Sequence, residues 1–484
     1  MSSAIKSTLW ATLGNWGQQI FAFVTMIVVA RLLDPAAFGV LAIAMLFILL
    51  LQRVLLESIG FAVVRTESIT PSYLNAAFVF SVGGGLLFGL ILFLTAPFFA
   101  QLFSEPQLKP VLQVLALMPV IDGLGMVQTG LLRRDMQFKA LAMRTLGANF
   151  LSGIVGISCA LYGLGVWSLV AQQLVMSMGG LVVLWYACNW RPTHVWRKQD
   201  FSNIAYFGLP MVGNAILFVF ANRLDIVFLA AAANSSVTGI YSFAKRVVRM
   251  VTDLFVSGAM NVSLSMLSAL KGDKAQQKNL VVMQLKFVSL IVFPLFIGLS
   301  CVASDLVPLM LGAKWIDAIP VLQVLAVFGV VQVVILMCTN VLVSAGSSKE
   351  LFIFNMCGVA VLTLLLVFAV NYGAGGVAAA FVTQSLITLP LLLCLVKLRT
   401  GIAAGSMLKA LLPATISVLV MAVFLQGLLI TEFIQTLVSF IRLPILILTG
   451  SVVYTLSIFC LMGKDTKMML NGMLSKIRIN TRSK

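Results

Sequence analysis

Charge is scarce in this chain of 484 residues: charged residues make up 10%, and histidine occurs once, at His194. Soluble domains carry about 25% charged and roughly 45–50% apolar residues. With 61% hydrophobic residues, an ordinary soluble globular protein is excluded. There is also no phosphate-cradling Walker sequence, no paired acidic motif in a loop and no long extramembrane loop to close over a substrate. His194 sits in a basic loop beside Arg191 and Trp196, which suits the headgroup level better than a catalytic pocket. These absences argue against a membrane enzyme acting on lipid-linked sugars, and no cofactor is expected. Cys159, Cys188, Cys301, Cys338, Cys357, Cys394 and Cys460 fall within or at the ends of apolar stretches and form no CxxC pair. They read as small core residues, not as disulfides or metal ligands.

What fills the chain is a succession of apolar runs. A membrane helix needs about 20 mostly apolar residues, and the sequence parses into fourteen such spans. They begin near Leu9, Gly39, Ala76, Val111, Met143, Val166, Ile204, Val237, Val281, Ile319, Leu351, Gly375, Leu408 and Leu443. The expected class is an all-α polytopic membrane protein, with the first span retained. A net charge of +17 raises the thought of nucleic acid, but the placement of the charges excludes it. Loops on one side, together with the tail, hold about 23 Lys and Arg, whereas the other side holds only Arg31, Lys109, Lys314 and Arg442. By the positive-inside rule both termini are predicted to be cytoplasmic. The basic tail, residues 464–484, is also suited to touching anionic membrane lipids.

The chain looks internally duplicated. Pro110-Val111-Leu112-Gln113-Val114-Leu115-Ala116 returns unchanged as Pro320-Val321-Leu322-Gln323-Val324-Leu325-Ala326. At a similar offset, Arg31-Leu32-Leu33-Asp34-Pro35-Ala36-Ala37-Phe38-Gly39 is matched in position by Ala231-Ala232-Ala233-Asn234-Ser235-Ser236-Val237-Thr238-Gly239, each junction ending in a Gly that starts a helix. Two related bundles, residues 1–200 and 201–400, are expected, followed by two further helices within residues 401–463. Repeats of this kind are familiar in transporters, whose substrate site lies where they meet.

A few charges fall inside the spans. The basic ones are Arg53, Arg223, Lys245, Arg246 and Arg249, and the acids at comparable depth are Glu57, Asp122, Asp225 and Asp253. A cation at the bilayer centre costs at least ~2.5–3.5 kcal/mol, so it faces a partner or a wet cavity. A rise of about 1.5 Å per residue sets Lys245 about 9 Å deep, Arg249 about 15 Å and Asp253 about 21 Å, with Arg223, Asp122 and Arg53 at about 15, 18 and 20 Å. Lys245, Arg249 and Asp253 are spaced by four and Arg246 lies three before Arg249, which places all four on one face. Arg223 and Asp225, two apart, do not face each other. The duplication makes Arg53 and Asp253 counterparts. Two readings stand for each residue: a structural ion pair, such as Arg53 with Glu57, or a functional group. For the cluster the excess of cations suits an anionic headgroup, because a guanidinium is a good phosphate ligand.

Four stretches together resemble the polysaccharide transporters of the multidrug/oligosaccharidyl-lipid/polysaccharide exporter superfamily, especially the colanic-acid-exporter type. They are Ala30-Arg31-Leu32-Leu33-Asp34 through Phe38-Gly39; Phe207-Gly208; Asn222-Arg223-Leu224-Asp225 leading to Gly239-Ile240-Tyr241; and Leu306-Val307-Pro308 through Gly312-Ala313-Lys314-Trp315 to Pro320-Val321-Leu322. The resemblance implies two pseudo-symmetric six-helix lobes around a central cavity, plus two C-terminal helices. It further implies a bacterial inner-membrane flippase for undecaprenyl-pyrophosphate-linked oligosaccharides, with a polysaccharide polymerase and glycosyltransferases as pathway partners. Under this reading Arg249, Arg246, Lys245, Arg223 and Arg53 hold the anionic substrate. Asp225, Asp253, Asp122 and Glu57 are candidates for coupling to H+ or Na+. The alternatives within the superfamily are a peptidoglycan-precursor flippase and a multidrug exporter.

Overall fold

The computed structural model describes residues 2–55, 63, 69–193, 197–256, 260, 263, 266–267 and 273–461. Among these residues all regular structure is helical. In chain order the helices are α1 (Ser2–Leu32), α2 (Pro35–Leu55), α3 (Pro71–Leu102), α4 (Leu108–Leu115), α5 (Met118–Arg134), α6 (Phe138–Leu161), α7 (Val166–Ala187) and α8 (Lys198–Ala232). There follow α9 (Ser235–Phe255), α10 (Lys274–Leu311), α11 (Ala318–Ser344), α12 (Ser348–Ala369), α13 (Gly373–Thr400), α14 (Ala404–Ile430), the single turn α15 (Glu432–Thr436) and α16 (Ser439–Leu461). Each of the fourteen predicted spans lies on one of these helices, the fourth running through α4 and α5. Glu57, His194 and the tail from residue 464 lie outside the described residues.

By length and apolarity alone, nine described stretches are able to cross a membrane, one of them, Lys349–Thr400, containing both α12 and α13. Helix α9 is not among them, because Lys245, Arg246, Arg249 and Asp253 lower its hydropathy. Helix ends follow local chemistry. α6 and α11 stop at left-handed glycines, Gly163 (φ 74°) and Gly346 (φ 75°). Beyond them the Leu164 N–H reaches back to the Cys159 carbonyl and the Ser347 N–H to that of Leu342, which satisfies carbonyls a helix end leaves open.

The chain packs as two compact units. The first comprises residues 1–250, 310–321 and 355–380, and the second residues 251–309, 322–354 and 381–484. In the first unit the two duplicated junctions touch each other. A methyl group on Gly39 would overlap the Ser235 carbonyl, and one on Gly239 would overlap the Pro35 carbonyl. The contact is reciprocal, as a two-fold relation between α2 and α9 requires, and only glycine lets the two backbones approach so closely. Beside it Trp315 is fully buried. Its indole Nε1–H donates to the Ala30 carbonyl at 2.8 Å, and its ring packs 5.3 Å from that of Phe38 and 4.6 Å from that of Phe243. The segment Gly312-Ala313-Lys314-Trp315 therefore ties the ends of α1, α2 and α9 together, with an exposed Lys314–Asp34 ion pair (2.8 Å) at its edge.

Small residues also set the α3–α5 packing. Methyl groups on Gly85 and Gly89 would meet the carbonyls of Pro119 and Ala116, whereas one on Gly83 would meet nothing. The Ser81 hydroxyl donates to the Gly123 carbonyl at 2.9 Å. The segment that leads into α8 is pinned to the start of α3: Asn75 exchanges hydrogen bonds with Thr193 (2.6 and 3.0 Å), and Ser72 donates to Asp200 at 2.6 Å. In the second unit α14 and α16 pack on α10 through Cys301, Val302, Met421, Leu425, Leu443 and Leu446. Arg442 pairs there with the buried Asp305.

Candidate functional site

Two charged regions lie inside the first unit. The first joins α8 to α9. Asp225 is wholly buried and accepts a hydrogen bond from the Tyr241 hydroxyl at 2.5 Å. It also pairs with the Lys245 ammonium, which donates in addition to the Asn222 carbonyl at 3.1 Å. Tyr241 and Lys245 are four apart and so share a face of α9, toward which α8 turns Asp225. Asp225 and Lys245, which the sequence presents as an acid and a cation at similar depth, form one matched unit. Taking either partner away from such a buried pair costs about 3–5 kcal/mol. Tyr241 is the member that sequence reasoning missed, and its four-residue spacing to Lys245 was the available signal.

The remaining cations of this region are not enclosed in the same way. Arg223 is half-buried and within electrostatic reach of Arg249, Asp225 and Arg246. Arg246 and Arg249 present exposed side chains. Arg246 also lines a narrow cavity with Thr25, Asn149, Ser152 and Gln172 from α1, α6 and α7. Arg53 is half-buried near the end of α2; Asp253, exposed near the end of α9, belongs to the second unit. Glu57 lies outside the described residues, and with it the i,i+4 pair with Arg53.

The second region lies among α2, α5, α6 and α7, around a cavity of about 250 Å³. Asp122 is among its lining residues. The Gln52 amide donates to one carboxylate oxygen and the Ser177 hydroxyl to the other, both at 2.7 Å. Thr129, Arg133 and Arg144 complete the polar lining. Arg144 reaches the cavity because Gly180 leaves room: a methyl group there would lie 3.2 Å from the guanidinium Nε. In the sequence Arg144 reads as a loop cation, but α6 begins at Phe138, so Arg144 sits on its second turn. Gln52 and Ser177 carry no signal of their own, since their meeting with Asp122 depends on how helices far apart in sequence pack.

The helices and these buried charges define a polytopic α-helical membrane protein with a polar, ionised interior. Solved structures share its fold. The lipid II flippase MurJ in an inward closed conformation superimposes with a TM-score of 0.77 at 16% identity, covering 93% of this chain and 98% of that one. A multidrug resistance MATE family transporter of the MOP superfamily, inward-facing, gives 0.61 at 17% identity over 79% of this chain and 94% of that one. Residues 28–320 match the polysaccharide biosynthesis protein family, and the chain belongs to that family.

Among curated relatives, the succinoglycan biosynthesis transport protein ExoT of Rhizobium meliloti (strain 1021) is 25% identical over 317 residues, covering 66% of this chain and 64% of its own. The teichuronic acid biosynthesis protein TuaB of Bacillus subtilis (strain 168) is 23% identical over 66% of each chain. The lipopolysaccharide biosynthesis protein WzxC of Escherichia coli (strain K12) is 23% identical over 64% of this chain and 63% of its own. The chain thus spans just under two thirds of the length of these relatives.

Proposed function

We propose that the chain is a bacterial inner-membrane flippase that moves undecaprenyl-pyrophosphate-linked oligosaccharide units from the cytoplasmic to the periplasmic leaflet, for surface polysaccharide synthesis. The observation that carries this reading is the gathering of Arg223, Lys245, Arg246 and Arg249 on α8 and α9, where cations outnumber the acids Asp225 and Asp253. With Lys245 matched to Asp225, the arginines are the groups available to a diphosphate, and guanidinium geometry suits bidentate phosphate contacts. The polyprenyl tail stays in the bilayer while the headgroup crosses. Rocking of the lobes formed by residues 1–200 and 201–400 then alternates access to the two faces.

Family membership supports a role in polysaccharide synthesis, and the charge bias of the loops supports cytoplasmic termini. Polysaccharide polymerase and glycosyltransferases are the enzymes that such a transporter would serve. Coupling to H+ or Na+ is assigned to the intramembrane acids Asp122, Asp225, Asp253 and Glu57. The test is Arg249→Ala. It should lower surface polysaccharide by about tenfold, the equivalent of one lost charge-assisted contact of ~1.5 kcal/mol, while folded protein in the membrane stays at its normal level. Undiminished export by this variant would return Arg249 to a structural role.

A further inference from the structure

The cavity beside Asp122 carries more positive charge than its own carboxylate matches. Arg133, in the last turn of α5, and Arg144, on the second turn of α6, both line it. Neither forms a hydrogen bond or an ion pair with any described residue. They lie within electrostatic reach of one another, and Arg144 within reach of Asp122. Asp122 makes no hydrogen bond to either guanidinium; its two oxygens accept from Gln52 and Ser177. Arg133 is exposed and Arg144 half-buried, so water and Asp122 offset part of their repulsion, and an anion between the two guanidinia relieves the rest. The space of about 250 Å³ is ample for a phosphate group with water.

We infer that Arg133 and Arg144 form a phosphate-binding site at the cavity among α2, α5, α6 and α7, with Asp122, held by Gln52 and Ser177, as the acid that opposes the anion. Arg144 lies six residues into α6, or about 9 Å from its start, so the site opens near the membrane face that carries the α5–α6 turn. A phosphate reaches that level either as the headgroup of a lipid or free from solution. The site is separate from the α8–α9 arginines and does not require that its ligand be the transported cargo. Simple snorkelling of the two arginines toward headgroups would leave Asp122 irrelevant, and this separates the two accounts.

The experiment uses the full chain in uncharged detergent at low ionic strength, with calorimetric titration of inorganic pyrophosphate. An Arg223→Gln/Arg246→Gln/Arg249→Gln background keeps the α8–α9 arginines out of the signal. In that background Arg144→Gln should weaken binding by about tenfold or more, Arg144→Lys should weaken it less, and Asp122→Asn should tighten it. Unchanged affinity on Arg144→Gln, or weaker binding on Asp122→Asn, would overturn the site. Thermal unfolding of each variant checks its fold. If Arg144→Gln does not fold, the Arg144→Lys and Asp122→Asn titrations decide alone. Phosphatidic acid in phosphatidylcholine nanodiscs then identifies the source. Competition with pyrophosphate upholds the site as one for a lipid headgroup, and lack of competition upholds it as one for free phosphate.

Discussion

At the scale of the residue, Asp225 governs how much of the α9 charge is open to a ligand. Tyr241 and Lys245 both hold its Oδ2, and the buried Oδ1 accepts no hydrogen bond among the described residues. Asp225→Asn leaves the Lys245 ammonium without its acid and should lower stability by about 3–5 kcal/mol. Adding Lys245→Met removes the stranded charge, so the double variant should recover most of that loss. Denaturant titration in detergent measures both, and simple addition of the two single effects would show that the pair does not act as a unit. The sequence displayed both charges and their depth. It did not display their meeting, because Asp225 lies on α8 and Lys245 on α9, and which faces of the two helices turn together is settled by packing across the α8–α9 junction.

At the scale of the element, helices α2 and α9 cross on a pair of hydrogens. Gly39→Ala and Gly239→Ala each push a methyl into the backbone of the opposite helix, where no flexible side chain is available to yield. Overpacking of this kind costs about 1–3 kcal/mol or more. Because the two glycines touch, one displacement of the helices relieves both overlaps, and the double variant should cost clearly less than the two singles together. The apparent melting temperature of the four proteins tests this, with additive losses as the contrary outcome. The duplicated junctions were legible in the sequence, although it put the helix starts at the glycines, whereas α2 and α9 begin at Pro35 and Ser235 and carry Gly39 and Gly239 in their second turn. That they contact each other, with Trp315 seated between Phe38 and Phe243, was not, since Trp315 lies far along the chain and nothing near it signals where it docks.

At the scale of the whole molecule, apolar run length placed most of the helices, because the bilayer fixes how long such a run must be, whereas α9, with four charges, falls short of that criterion in the described residues. It was poor at assigning cations near helix ends. Arg144 reads as a loop residue because basic residues mark loops, and Arg442 reads as an outside marker although it is paired with the buried Asp305. The ion coupling proposed above is a property of the entire molecule. In vesicles, collapse of both the proton and the sodium gradients should stop net movement of lipid-linked oligosaccharide, and flux that continued undiminished would exclude the ion-coupled cycle. The reciprocal seat of Gly39 and Gly239 bears on a longer timescale as well. Elsewhere a change in one copy of the duplicated sequence is open to correction by a change in its neighbour. Here both partners already offer nothing larger than hydrogen, so no compensating substitution exists. With a backbone carbonyl facing each glycine, a change at one of them cannot make room for a methyl at the other.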